Sequence, residues 1–181
     1  MGSRLEQALA LHCSPALFGI KSSNLINCYY KDFPNLEEDI NKLNEDFKNR
    51  LAFNIIYKGK DNILLLVYKI DKLKNTLFDI NNYNYLKSKG YPDNHNLEDH
   101  INFLKRRVND NNFPHEIGVF LGYDLNDIID FCDGKKKAEY VGYWKVYSKK
   151  EEKIKLFNKY TKCINIVANL VKQGKSLETM I

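Results

Sequence analysis

Apolar residues recur at helical spacing in some stretches of the chain and as unbroken or alternating runs in others, and the two periods sort it into elements. Arg4 to Leu11 is made of good helix formers and predicts a short first helix. Ser14 followed by Pro15 suits a second helix start, since Ser can cap and Pro fits the first turn; Gly19 ends it. Ser22-Ser23-Asn24 reads as the cap of another short segment, Leu25 to Tyr30. Leu36, Ile40, Leu43 and Phe47 form a stripe, with Glu37, Glu38 and Asp39 in the first turn, so Asn35 to Asn49 is a predicted helix. Leu51 to Tyr57 and Ile63 to Ile70 are predicted strands about a turn at Lys58–Asn62. Ile63 to Val67 shows no alternation, which predicts burial on both faces. Asp71 reads as the cap of a helix carrying Leu73, Leu77 and Ile80. A further helical piece runs to about Lys89, where Gly90 stops it. Leu97, Ile101, Leu104 and Val108 mark another helix with Lys105, Arg106 and Arg107 on its polar face, followed by a loop over Asn109–Asn112.

Pro114 to Asp133 admits two readings. His115 to Tyr123 is a strand, or Pro114 opens a helix that turns at Gly122-Tyr123-Asp124 into a second one ending at Gly134. The spacing of Ile117, Leu121, Leu125, Ile128 and Phe131 favours the helices. Glu139 to Tyr147 is predicted as one strand. Tyr140, Gly142, Trp144 and Val146 would share a face, with Gly142 leaving room for close backbone approach. The longest predicted helix is Lys149 to Lys172, capped by Ser148 and stopped by Gly174. The elements add up to an α+β fold: one domain over residues 1–181, with a small, mostly antiparallel sheet packed with several helices and a long C-terminal helix.

Composition narrows the class. At 181 residues, 44% hydrophobic and 28% charged, the chain is globular. The net charge of +5 permits an anionic partner without requiring one, and its densest basic run, Lys135 to Lys137, reads as a solvated loop. No run approaches the ~18–20 apolar residues of a membrane span, and the start lacks the layout of a signal peptide, so a cytoplasmic protein is expected. Cys13, Cys28, Cys132 and Cys163 are widely spaced with no CxxC, as expected of free thiols. The P-loop, GxGxxG, HExxH and GxSxG patterns are all missing.

Candidate chemistry clusters in two places. Cys13 would sit at a helix N-terminus, where amide dipoles and a folded-back Lys21 favour the thiolate. Cys13 as nucleophile and His115 as base is one constellation; Glu116 beside His115 points away from it in either conformation. His12, Cys13 and His115 are the residue types of a soft metal site, but spaced ligand pairs are lacking. His95 and His100 read as surface residues, Cys132 and Cys163 as core. The Gly142–Tyr147 strand offers an aromatic pocket wall, with Tyr143, Trp144 and Tyr147 beside Lys145. Two helices joined by a turn invite comparison with a DNA-binding corner. Asp124, Asp127, Asp130 and Asp133, with no Lys or Arg among them, argue against DNA and suit a basic protein partner instead.

Three stretches resemble the signatures of an uncharacterised domain family of clostridia and related anaerobes. They are His12 to Lys21, with the pattern HCxPxLxGIK; Phe113 to Tyr123, with FPHEIGxFLGY; and Gly142 to Tyr147, GYWKVY. The family often has Ala in place of Ser14 and Pro in place of Asp124. The resemblance covers nearly the whole chain. It carries no activity or cofactor over and implies only a link to redox or iron metabolism. The leading expectation is a small-molecule-binding or accessory protein. Its pocket would lie near Cys13, His115, Tyr123 and the Gly142–Tyr147 strand, with His12, Lys21 and Glu116 as further binding candidates. A thiol-dependent enzyme and a protein-interaction module are the competing readings, so the partner is a small molecule or a protein, with neither membrane nor DNA expected.

Overall fold

A computed structural model describes residues 3–109 and 113–181. Helix α1 (Arg4–His12) is capped by the Ser3 hydroxyl and leads directly into the single turn α2 (Ser14–Leu17). Strand β1 (Ser23–Tyr29) follows, then α3 (Leu36–Asp46), β2 (Leu51–Lys58) and β3 (Asn62–Lys69). Four helices come next: α4 (Ile70–Leu77), α5 (Ile80–Ser88), α6 (Leu97–Arg107) and the one-turn α7 (Ile117–Phe120). Then come α8 (Leu125–Asp133), a short hairpin of β4 (Tyr140–Val141) and β5 (Lys145–Val146), the long α9 (Lys150–Lys172) and α10 (Leu177–Met180). The fold is α+β, as the periodicity predicts. Except for Asn109, the loop expected over 109–112 lies outside the described residues.

The main sheet has the order β1-β3-β2 and is antiparallel throughout. Its middle strand is the run without alternation, and the reason is now visible. Ile63, Leu65 and Val67 enter one core with α1, α3 and α9, while Leu64, Leu66 and Tyr68 enter another with α4, α6, α7 and α8. A strand with helices on both faces must be apolar at every position. Each such side chain contributes about 1.5–3 kcal/mol when fully buried.

Four elements depart from expectation. Leu25–Tyr30 is not a capped segment of its own: Tyr30 lies in a turn, and Leu25–Tyr29 belongs to β1, paired with β3 from Ser23 opposite Tyr68 to Tyr29 opposite Asn62. Its Ile26 and Cys28 join the first core and its Leu25 the second, so long-range pairing overrides the local cap signal. Glu139–Tyr147 is not one strand. It folds back at Gly142-Tyr143, with the Glu139 amide donating to the Val146 carbonyl at 2.8 Å and the Gly142 amide to the Trp144 carbonyl at 3.0 Å. The expected close approach at Gly142 holds, because a Cβ there would overlap the Phe157 ring of α9. Helix α4 starts at Ile70, which places Asp71 inside its first turn rather than at its cap. Helix α9 is entered through Lys149 at φ +53°, not capped by Ser148. No described helix is long and apolar enough to cross a membrane.

Candidate functional site

Of the two readings of Pro114–Asp133, the helical one is correct, with the first helix reduced to a single turn. The turn between α7 and α8 is tight. Gly122 sits at φ +71°, and a Cβ there would come 2.6 Å from the Ser22 hydroxyl, so Gly is required on both counts. Asp124 caps α8 by accepting from the Asn126 amide at 3.0 Å and also pairs with Lys153 of α9. Burial pushes the Asp124 carboxyl up. The Lys153 hydrogen bond and charge outweigh burial and hold it below the usual carboxylate range. The pair ties the corner to the long helix.

The hairpin then closes over the corner. The Trp144 indole stacks on Tyr123 at 4.6 Å between centroids and meets Phe157 edge-on at 4.5 Å. Its Nε1–H donates to Asp127 Oδ2 at 2.8 Å, and the Tyr147 amide donates to Asp127 Oδ1 at 2.8 Å. Asp127 is only 2% exposed, so this carboxylate is an internal brace and is not open to a docking partner. Asp130 is likewise committed, to Lys136 at 2.8 Å. A basic partner at the acidic corner would therefore find Asp127 closed to it and Asp130 already holding Lys136.

Between corner and hairpin lies a cavity of about 300 Å³ lined entirely by residues between Phe113 and Lys145. Five rings form most of its wall, from Phe113, Tyr123, Phe131, Tyr143 and Trp144, together with Ile117, Leu121 and Ile128. Its polar groups are His115, Lys145 and the braced Asp127. Lys145 Nζ lies 5.3 Å from the Phe131 ring centroid, and the His115 ring meets the same ring edge-on at 5.1 Å. A small, ring-lined hollow with two nitrogen-bearing side chains beside one of its rings has the build of a small-molecule site.

The sequence-derived candidates divide accordingly. His115, Tyr123, Tyr143, Trp144 and Lys145 line the cavity. Tyr147 contributes its backbone amide behind the wall. Glu116 is 4% exposed and pairs with Arg107 on α6, away from the cavity lining. Lys21 is buried and reaches the Tyr123 ring at 5.5 Å, so it supports the wall from outside the pocket. Burial lowers its ammonium to about 8, partly opposed by the Cys13 thiol. His12 is exposed on α1.

Cys13 lies in the first core, with no exposed surface. Burial drives its thiol pKa far up, Cys28 adds to this, and Lys21 offsets only part. The expected lowering by a helix N-terminus does not occur: α2 is a single turn, and desolvation of the thiolate outweighs it. Cys13 does not line the cavity that holds His115. Among the described residues no group of three or more His, Cys, Asp or Glu is placed to hold a metal. His100 is fully buried, not a surface residue, with its Nδ1 at 2.9 Å from the Asn96 carbonyl and its ring among Phe78, Tyr83 and Tyr91. Cys132 is exposed rather than core, while Cys163 is buried as expected.

Three cavity residues carry roles the sequence reading did not assign. Asp127 counted as one of a row of surface acids. The signal that could have found it is Trp144, whose N–H needs a buried acceptor that the hairpin does not supply. Phe131 and Ile128 counted as core. Both lie on the apolar stripe of α8, where Ile128 is buried in the second core while Phe131 stays 40% exposed.

A family model described as "Protein of unknown function (DUF3793)" matches residues 9–181. No curated protein and no solved structure matches the chain.

Proposed function

The chain belongs to the DUF3793 family of proteins of unknown function, and we propose that it is a small-molecule-binding protein whose ligand is flat, mostly apolar and held in the Phe113–Lys145 cavity. The observation that carries this reading is the wall of five rings around about 300 Å³ of open space. That volume is at the small end of ligand sites and suits a one- or two-ring molecule. Preorganisation supports it further. Trp144 is fixed by Asp127 and by its stack on Tyr123, so little ordering cost falls on binding. A link to redox or iron metabolism would follow only from the identity of that ligand; the pocket itself supplies rings, one imidazole and one ammonium.

Trp144 is the sole tryptophan of the chain, so one indole N–H resonance reports on the cavity wall. Titrating ¹⁵N-labelled protein with neutral two-ring probes, 2-naphthamide first, is expected to move that resonance saturably with Kd at or below ~1 mM. Phe131→Ala is expected to weaken binding by about tenfold, the usual size of losing a stacking wall. If no one- or two-ring probe moves the resonance in the millimolar range, the cavity is not a ligand site.

A further inference from the structure

Three carboxylates around the cavity are matched by cations: Glu116 by Arg107, Asp124 by Lys153 and Asp130 by Lys136. Asp127 has no such cation among the described residues, but its two oxygens accept from Trp144 and Tyr147 and it is 2% exposed, so it is held within the wall. Lys145 is the lysine of the lining; among the described residues no acid lies within ion-pair reach of it, and its Nζ rests over Phe131. His115 borders the same ring from its edge, and even a neutral imidazole offers one N–H donor. Two donors therefore flank one aromatic ring of a hollow whose wall is mostly apolar.

Resting on the pocket reading above, we infer that the ligand is an aromatic monocarboxylate, its ring among Tyr123, Phe131 and Trp144 and its carboxylate read by Lys145 and His115. A cationic ligand would bring like charge against Lys145. A neutral one would leave the ammonium on Phe131 without a counter-charge. A doubly charged phosphate would meet a single ammonium and no arginine fork, the group that matches phosphate geometry best. One ammonium and one imidazole suit one carboxylate. Charge-assisted hydrogen bonds at a partly open site correspond to an affinity gain of about tenfold over a neutral isostere.

The test compares 2-naphthoate with its neutral isostere 2-naphthamide, following the Trp144 indole resonance at pH 7 in low salt. The acid is expected to bind about tenfold more tightly, with the difference shrinking in ~0.5 M salt. Lys145→Gln is expected to bring the two ligands within about twofold of each other, Lys145→Arg to keep most of the preference, and His115→Gln to reduce it partly. Lys145 and His115 are both exposed, so these variants are expected to fold, and an unchanged thermal midpoint checks it. Equal affinities in the wild type, or a preference that survives Lys145→Gln, overturns the inference and leaves the pocket reading standing. Failure of both ligands to move the resonance overturns both.

Discussion

In the His12–Lys21 segment the thiol and the ammonium are sealed inside the protein; in the Phe113–Tyr147 segment an imidazole and an ammonium stand open on a cavity. Both segments are dense in reactive residue types, and the difference comes from what lies above them. Helix α9 and strand β3 close over Cys13 in the first core. Among the described residues nothing comparable covers the seam between α8 and the hairpin. Residue type marks where chemistry is available, and burial decides where it is usable. The two segments nevertheless meet: Lys21 faces Tyr123, and directly after it Ser22 packs on Gly122 and the Ser23 hydroxyl donates to the Phe120 carbonyl at 2.8 Å. The first segment acts as a foundation for the second.

The sharpest way to break this contrast is thiol labelling. In native protein, iodoacetamide should modify exposed Cys132 about a thousandfold faster than Cys13, which must wait for opening of the core. Comparable rates, read by peptide mass spectrometry, would show that Cys13 is reachable and return the thiol-dependent enzyme to consideration. Next in size is the brace. Asp127→Ala should destabilise by about 3 kcal/mol, because it orphans the Trp144 N–H and the Tyr147 amide in a buried site. Urea unfolding checks it, and a loss under ~0.5 kcal/mol would mean that water replaces the carboxylate.

Smaller, and dependent on pH, is the effect of Lys21. Its ammonium is lowered by burial to about 8 from 10.5. Above the ordinary value both states are neutral and burial of the amine is free. As pH falls from 10.5 to about 8 the unfolded state takes up a proton that the folded state resists, and stability is lost; below about 8 both states are charged and the loss is complete. Lys21→Met should therefore be more stable than wild type by about 2 kcal/mol at pH 7, with the gap closing toward pH 10.5. The buried thiols act in the other direction. Their stabilisation is fully present below the ordinary thiol value of 9.0 and is lost as pH rises through about 11 for Cys28. The difference between variant and wild type, measured by urea unfolding across this range, isolates Lys21. A gap that stays constant from pH 7 to 10.5 would mean that the ammonium is hydrated in the folded state.

Much of the fold was legible because it follows local period. The stripes of α3, α6 and α9, the β2–β3 hairpin and the uniformly apolar β3 all carry their partners' geometry in their own spacing. Strand β1 was not legible, since Ser22-Ser23-Asn24 is a sound helix start by local rules and only pairing with β3 decides otherwise. The hairpin was misread for a related reason. Alternation runs unbroken through Gly142-Tyr143, and the fold-back sits against Phe157 of α9, a contact that nothing in the local sequence announces. Of the site, the residue types were legible, but not their partners. Nothing near Asp127 in the chain shows that it will meet Trp144, and nothing near Cys13 shows that α9 will cover it.

The cavity is built from one continuous length of chain, Phe113 to Lys145. Its walls close over short loops, whose entropic cost is small. Its lining can therefore be altered by changes confined to one segment. For an experimenter this makes the stretch a transferable module: exchanging it between relatives, with Lys21 and Phe157 kept as its supports, should carry ligand preference along with it.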